Sequence, residues 1–236
     1  VRATDFLNDS LVYWFVRQNT NRAMQTRDDH EDAGLLLDKH GLPRHRDDRV
    51  KDWDQLLALY HAMRLTRQFD NILDAGANCP SDFLQGMSLL MRHSLTGIGL
   101  GIHDRQMPHA DYLNGDITAT PFDNSTRTFV ACISVIEHGV DLRAFFKEMG
   151  RIIRPGGHLF VSFDYWMDPI DTGGRMAFGA PVKVFDVEDI ALMLRLAEHS
   201  GLEITGPFDV ACRDRVVHWI DGLEDYTFAN MLFRKV

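Results

Sequence analysis

At 236 residues the chain is long for one compact domain and short for two, so a single domain with an appendage is expected. Hydrophobic residues at 45% and charged residues at 25% are ordinary globular values and exclude a largely disordered chain. A formal charge of −9 with no long basic stripe argues against phosphate-backbone binding as the main role, so no nucleic-acid partner is expected.

Residues 1–69 read as a helical appendage or lid. Phe6, Leu7, Leu11, Trp14 and Phe15 recur at helical spacing, and Trp53, Leu56, Leu57, Tyr60 and Met63 do so again. Between these stripes, residues 27–52 hold 14 charged side chains, which suits a solvated face, a mobile loop or a substrate lid. From Asp70 onward, short apolar runs bounded by Gly, Pro, Asn and Asp alternate with helical periodicity, the pattern of an α/β domain over residues 70–236. Strands are expected at 71–74, 96–102, 111–114, 128–134, 157–163, 202–210 and 226–233. Helices are expected at about 81–93, 142–153 and 187–200, the first with Pro80 at its opening position. The link from His103 to Ala110 is too short for a crossover helix. The turn-prone Asp221-Gly222 precedes a strand that suits an antiparallel return.

Cys79, Cys132 and Cys212 are odd in number, far apart and without metal spacing, so neither a disulfide framework nor a metal site is expected, and a reducing, cytoplasmic setting fits. Apolar runs are short, so neither a membrane span nor a signal peptide is expected. The chain opens on Val1 rather than Met, which leaves open whether residues precede it.

Chemistry concentrates first in Ile72-Leu73-Asp74-Ala75-Gly76-Ala77-Asn78-Cys79-Pro80, an apolar strand, a small-residue turn and a helix start. Such a turn lies at the carboxyl edge of a sheet, where ligands bind and small residues let the backbone approach them. Dinucleotide binding wants Gly-x-Gly-x-x-Gly here and only Gly76 fits, while Gly97-Ile98-Gly99-Leu100-Gly101 lies inside a strand pattern with no helix start after it.

Several ordered motifs together resemble the class I S-adenosylmethionine-dependent methyltransferases of the small-molecule type. They are the turn at Asp74, Gly115-Asp116-Ile117, Pro121-Phe122-Asp123, the run Phe129 to His138 ending in Ser134-Val135-Ile136-Glu137-His138, and Arg154-Pro155-Gly156-Gly157. The resemblance implies a three-layer Rossmann-like fold, with a seven-stranded, mostly parallel sheet whose last strand is antiparallel. It implies S-adenosylmethionine as cofactor, with Asp74, Ala75, Gly76 and Asn78 at the methionine part, and His103 or Asp104 at the ribose. Asp116 and Ile117 would sit at the adenine, with Ser134 nearby. Asn78 and Pro80 stand where the family usually has glycine, and His103 stands where it usually has the ribose acid.

His138 is the candidate general base, a neutral imidazole able to take a proton near neutrality, although a Glu-His pair after this strand also occurs widely in the family. Asp164, Tyr165 and Trp166 end the fifth strand and either line an acceptor pocket or close the core. Residues 167–183 suit an acceptor loop or a plain surface loop, and Arg213, Arg215, His218 and Trp219 between the last strands could supply a cation for an anionic acceptor. No metal is called for. The expected activity is methyl transfer to oxygen or nitrogen of a small metabolite, a sugar-containing or secondary product among the options, with a homodimer left open. A non-catalytic binding or regulatory subunit and a protein methyltransferase are the competing readings.

Overall fold

A computed structural model describes residues 2–46, 48–218 and 224–236. Four helices come first: α1 (Ala3–Leu7), α2 (Ser10–Asn19), α3 (Arg27–Lys39) and α4 (Asp52–Leu65). The sheet strands are β1 (Asn71–Ala75), β2 (Ser94–Gly99), β3 (Arg105–Gln106), β4 (Asp111–Asn114), β5 (Arg127–Ile133), β6 (Ile153–Tyr165), β9 (Leu202–Ile204) and β10 (Thr227–Lys235). A separate hairpin pairs β7 (Met176–Ala177) with β8 (Ala180–Pro181), and the later helices are α5 (Asp82–Leu90), α6 (Leu142–Ile152) and α7 (Val187–His199).

The strand order is β3-β4-β2-β1-β5-β6-β10-β9. From β4 to β6 the strands are parallel, and β10 runs antiparallel between β6 and β9. The seven expected strands are all present, and the two-residue β3 adds an eighth at the edge. Apolar alternation fills both faces. Ile72, Ala131 and Phe160 pack with α4 and α5 on one side, while Leu73, Val130 and Val161 pack with α6 and α7 on the other, which makes three layers. No helix joins β2 to β4 or β4 to β5, and a cavity of about 480 Å³ opens at that edge between Thr96, Leu113, Phe122 and Arg127.

The N-terminal region is more tightly built in than an appendage would be. Residues Phe6 through Met63 share one hydrophobic core with the sheet, and α4 is buried over nearly its whole length. Residues 19–24 also cover the open edge of β10. Met24 N–H donates to Phe228 O at 2.8 Å, and the fully buried Asn230 amide donates to Asn19 O at 2.7 Å while its Oδ1 accepts from Asn21 N. The first half of the charged stretch, Arg27–Lys39, is a helix. α3 buries Ala33, Leu36 and Leu37 and shows its charges outward, and Arg44 crosses Gly34 to reach the buried Asp52 at 2.6 Å.

Two expectations of phase need correcting. The first stripe is two helices, because the Asp9 side chain accepts from Leu11 N and starts a new one; Val12 and Val16 are buried while Leu11 and Trp14 are exposed. Pro80 precedes α5 rather than opening it, since Ser81 is the cap and accepts from Leu84 N at 3.1 Å. Among the described residues no helix is long and apolar enough to cross a membrane. The Asp221-Gly222 turn and Trp219 lie outside the described residues.

Candidate active site

The turn after β1 is held from three directions. Asp74, buried, accepts from Ser81 Oγ at 2.6 Å, and Ser81 N–H donates to the Tyr112 hydroxyl at 2.8 Å. Burial pushes the Asp74 carboxyl up to about 6, with the Ser81 bond opposing that rise. Gly76 has φ +93° and its N–H, like that of Ala77, donates to Ile98 O, at 2.7 and 2.9 Å. A Cβ on Gly76 would fall 2.3 Å from Val135 Cγ2, and one on Gly99 would fall 2.5 Å from Ala77 O. The glycines of β2 therefore serve the β1 turn, giving it room to cross the neighbouring strand. Asn78 is exposed just beyond, while the Ala75 side chain belongs to the core on the α6 side.

The ends of β2 and β4 come next along the same edge. Asp104 Oδ1 accepts from Asn114 N at 2.5 Å, and Asn114 Oδ1 accepts from Gly101 N at 3.0 Å, so the loop after β2 folds back on β4. His103 is exposed beside it. Asp116 Oδ1 accepts from the Thr118 N–H and hydroxyl at 2.8 and 2.7 Å, which fixes the turn after β4, and Ile117 is buried beneath it.

At the end of β5 the structure joins Ser134, Glu137 and Asp164 to two residues that sequence patterns did not single out, Asp54 and Ser162. Ser134 has φ +51°, an uncommon conformation for a residue with a side chain, and its N–H donates to Ser162 O at 3.1 Å. Both Ser134 Oγ and Ser162 Oγ donate to Oδ2 of Asp54, at 3.2 and 2.8 Å. Asp54 comes from α4, 80 residues before Ser134. Glu137 and Asp164 complete the group, both buried, and burial is the main cause of both shifts, with Asp164 adding to the rise of Glu137 and Asp54 to that of both. Asp164 is pushed up to about 7 and Glu137 well above the usual carboxylate range, with the Lys51 ammonium acting against both. The Tyr226 phenol faces Asp164, and burial pushes its pKa far above the ordinary value.

His138 stands one residue further, half-buried, and its ring meets Phe178 edge-on with centroids 5.0 Å apart. Burial, then the Lys51 charge, hold its imidazole down to about 4. The expected loop over residues 167–183 is in part the β7–β8 hairpin folded back over this turn. Lys183 N donates to Glu137 O at 3.0 Å, and Phe178 at the hairpin tip is 85% exposed.

Asp164, Tyr165 and Trp166 do not act together. Alternation along β6 turns Asp164 to the α4 face, while Tyr165 enters the opposite core and donates to Val210 O at 2.9 Å. Trp166 packs on the α4-side core and carries the Arg215 guanidinium 4.4 Å from its ring centre. Arg215 is already ion-paired with Glu224 at 2.9 Å, Arg213 is exposed, and His218 is ion-paired with Asp225. Among the described residues no group of three His, Cys, Asp or Glu side chains is placed to hold a metal ion.

Comparison with known proteins agrees with this geometry. Residues 91–161 match the family model described as a methyltransferase domain. No curated protein sequence matches the chain. Geranyl diphosphate C-methyltransferase from Streptomyces coelicolor A3(2), solved with Mg2+, geranyl diphosphate and S-adenosyl-L-homocysteine, is similar with a TM-score of 0.59 and 16% identity, over 98% of this chain and 99% of that one. The [4+2]-cyclase SpnF is similar with a TM-score of 0.59 and 16% identity, over 92% and 99%. Phosphoethanolamine N-methyltransferase 2 of Haemonchus contortus, solved with S-adenosyl-L-methionine, gives a TM-score of 0.53 and 13% identity over 78% of this chain, which spans about half of that longer protein, 52%. The chain has the fold of the class I S-adenosylmethionine-dependent methyltransferases.

Proposed function

We propose that this protein transfers a methyl group from S-adenosylmethionine to an oxygen or nitrogen of a small metabolite. The observation that carries the reading is the switch point of the sheet. The chain leaves β1 toward β2 and β4, then returns to β5 on the other side, and Gly76 meets Val135 across that divide. Ligands of open α/β sheets bind in this crevice, outside the carboxyl ends of the strands.

The residues at the crevice fit the cofactor. Gly76 packs too closely on Val135 to admit a Cβ, which holds the β1 turn at the crevice, and the exposed Asn78 follows it. Asp116 and Ile117 end β4 for the adenine, and His103 or Asp104 meets the ribose. S-adenosylmethionine, when bound, supplies a sulfonium-activated methyl group. The chain then has to hold the acceptor in line with that methyl, and such positioning can contribute several kcal/mol by itself. His138 takes the proton of the attacking group, and Asp164 and Trp166 stand on the acceptor side, with the β7–β8 hairpin as their cover.

Calorimetric titration with S-adenosylmethionine and, separately, with S-adenosylhomocysteine tests the reading. Micromolar binding of either is expected. Absence of both would mean that Asn78 and Pro80 have closed the cofactor site, and a non-catalytic binding role would take its place.

A further inference from the structure

The geometry points to an acceptor that carries an ammonium group, docked against the carboxylates of Glu137 and Asp164 where β5 and β6 end. This rests on the methyltransferase reading and adds the substrate class to it. Asp54, Glu137 and Asp164 are 0%, 1% and 3% exposed, and they arrive from three separate elements. Glu137 Oε2 and Asp54 Oδ1 have no hydrogen-bond partner. Buried carboxylate oxygens are strongly destabilising when uncompensated, and such groups gather where a ligand completes the charge balance. The three side chains are not grouped as metal ligands, and an organic cation is the counter-charge that the proposal assigns to them.

The aromatic wall supports the same chemistry. Lys51 is the cation acting on all three carboxylates, and its ammonium lies 5.4 Å over the Phe228 ring. Phe228 is the residue paired with Asp164 across β10 and β6. A neutral hydroxyl acceptor would find hydrogen-bond acceptors here but would leave the charge unmet.

The groups acting on Glu137 and Asp164 are Lys51 and Asp48 from the segment entering α4, Asp54 from α4 and Tyr226 beside β10, while His45 acts on Asp54. Burial raises both carboxyls, so an ammonium that favours their charged forms displaces protons on binding, and its binding strengthens as pH rises. The ammonium is a docking handle, and the methylated atom is a separate matter.

The test follows thermal unfolding of the protein saturated with S-adenosylhomocysteine, with n-butylammonium chloride as the probe. Sodium chloride at equal concentration and n-butanol are the references. The ammonium salt is expected to raise the unfolding midpoint by several degrees over both, more at about pH 8 than at about pH 6. Glu137→Gln and Asp164→Asn keep the shape of the carboxyls and remove their charge, so both variants are expected to fold, bind S-adenosylhomocysteine and lose the ammonium-specific shift. A shift no larger than with sodium chloride, or one that survives in both variants, overturns the proposal. Weaker binding of S-adenosylmethionine relative to S-adenosylhomocysteine in these variants also overturns it, by assigning the carboxylates to the cofactor sulfonium. Failure of the unmodified protein to bind S-adenosylhomocysteine overturns the methyltransferase reading and this one with it.

Discussion

Gly76→Ala is expected to weaken binding of S-adenosylmethionine and S-adenosylhomocysteine by about 100-fold or more while leaving a folded protein. Two costs combine. The residue keeps φ +93°, and a new Cβ would lie 2.3 to 2.9 Å from the three branch atoms of Val135. Left-handed backbone costs about 1–2 kcal/mol for a residue with a Cβ, and overpacking costs about 1–3 kcal/mol, so the turn relaxes away and takes its backing of the ligand with it. Each 1.4 kcal/mol is about tenfold in affinity. Adding Val135→Ala removes the clash but not the backbone cost, so the double variant should regain part of the affinity. Calorimetry on both, with circular dichroism to confirm folding, checks this. A folded Gly76→Ala protein with unchanged affinity would remove the β1 turn from the cofactor site.

His138→Ala is expected to lower turnover by about 100-fold or more and to leave cofactor affinity unchanged, the pattern of a lost proton acceptor. Its imidazole is held down to about 4, so it is neutral across the whole range from mildly acidic to alkaline pH. The acid limb of the rate profile that belongs to His138 should therefore fall near pH 4 rather than near the ordinary value of about 6.5. Stability carries the same sign. A folded-state value below the unfolded one means that the native state resists protonation, so the contribution of His138 is present above about 6.5 and is lost as pH falls toward 4. Equal turnover in the variant would show that alignment of acceptor and methyl suffices without a base.

The carboxyl-edge turns were legible in sequence because each is a local signal: a small-residue turn after an apolar strand at Asp74, Gly-Asp at the end of β4, and Ser-x-x-Glu-His after β5. The N-terminal helices were legible in kind but not in placement. Asp54 lies inside the helix whose apolar stripe was read from Trp53 to Met63, and periodicity gives no reason to select a carboxylate there. Because α4 is buried on nearly all sides, its polar positions Asp52, Asp54, Gln55 and His61 face protein rather than water, which a one-face pattern cannot convey. The partners of Asp54, Ser134 and Ser162, are brought to it by tertiary folding alone. Tyr165 is the opposite case. Strand alternation already separates it from Asp164 and Trp166, and applying the two-residue period would have assigned it to the core. Gly97 and Gly99 lie inside β2, as their strand pattern indicates, yet their role in seating the β1 turn appears only once the neighbouring strand is known.

The location of the cofactor site is tested most directly by backbone amide NMR shifts during titration with S-adenosylhomocysteine. The amides of Gly76, Ala77, Asn78, Asp116, Ile117 and Ser134 are predicted to shift together and saturate at one concentration, while Thr96, Leu113 and Arg127 around the edge cavity stay unmoved. Shifts confined to that edge cavity, or none along the ends of β1, β4 and β5, would contradict the account.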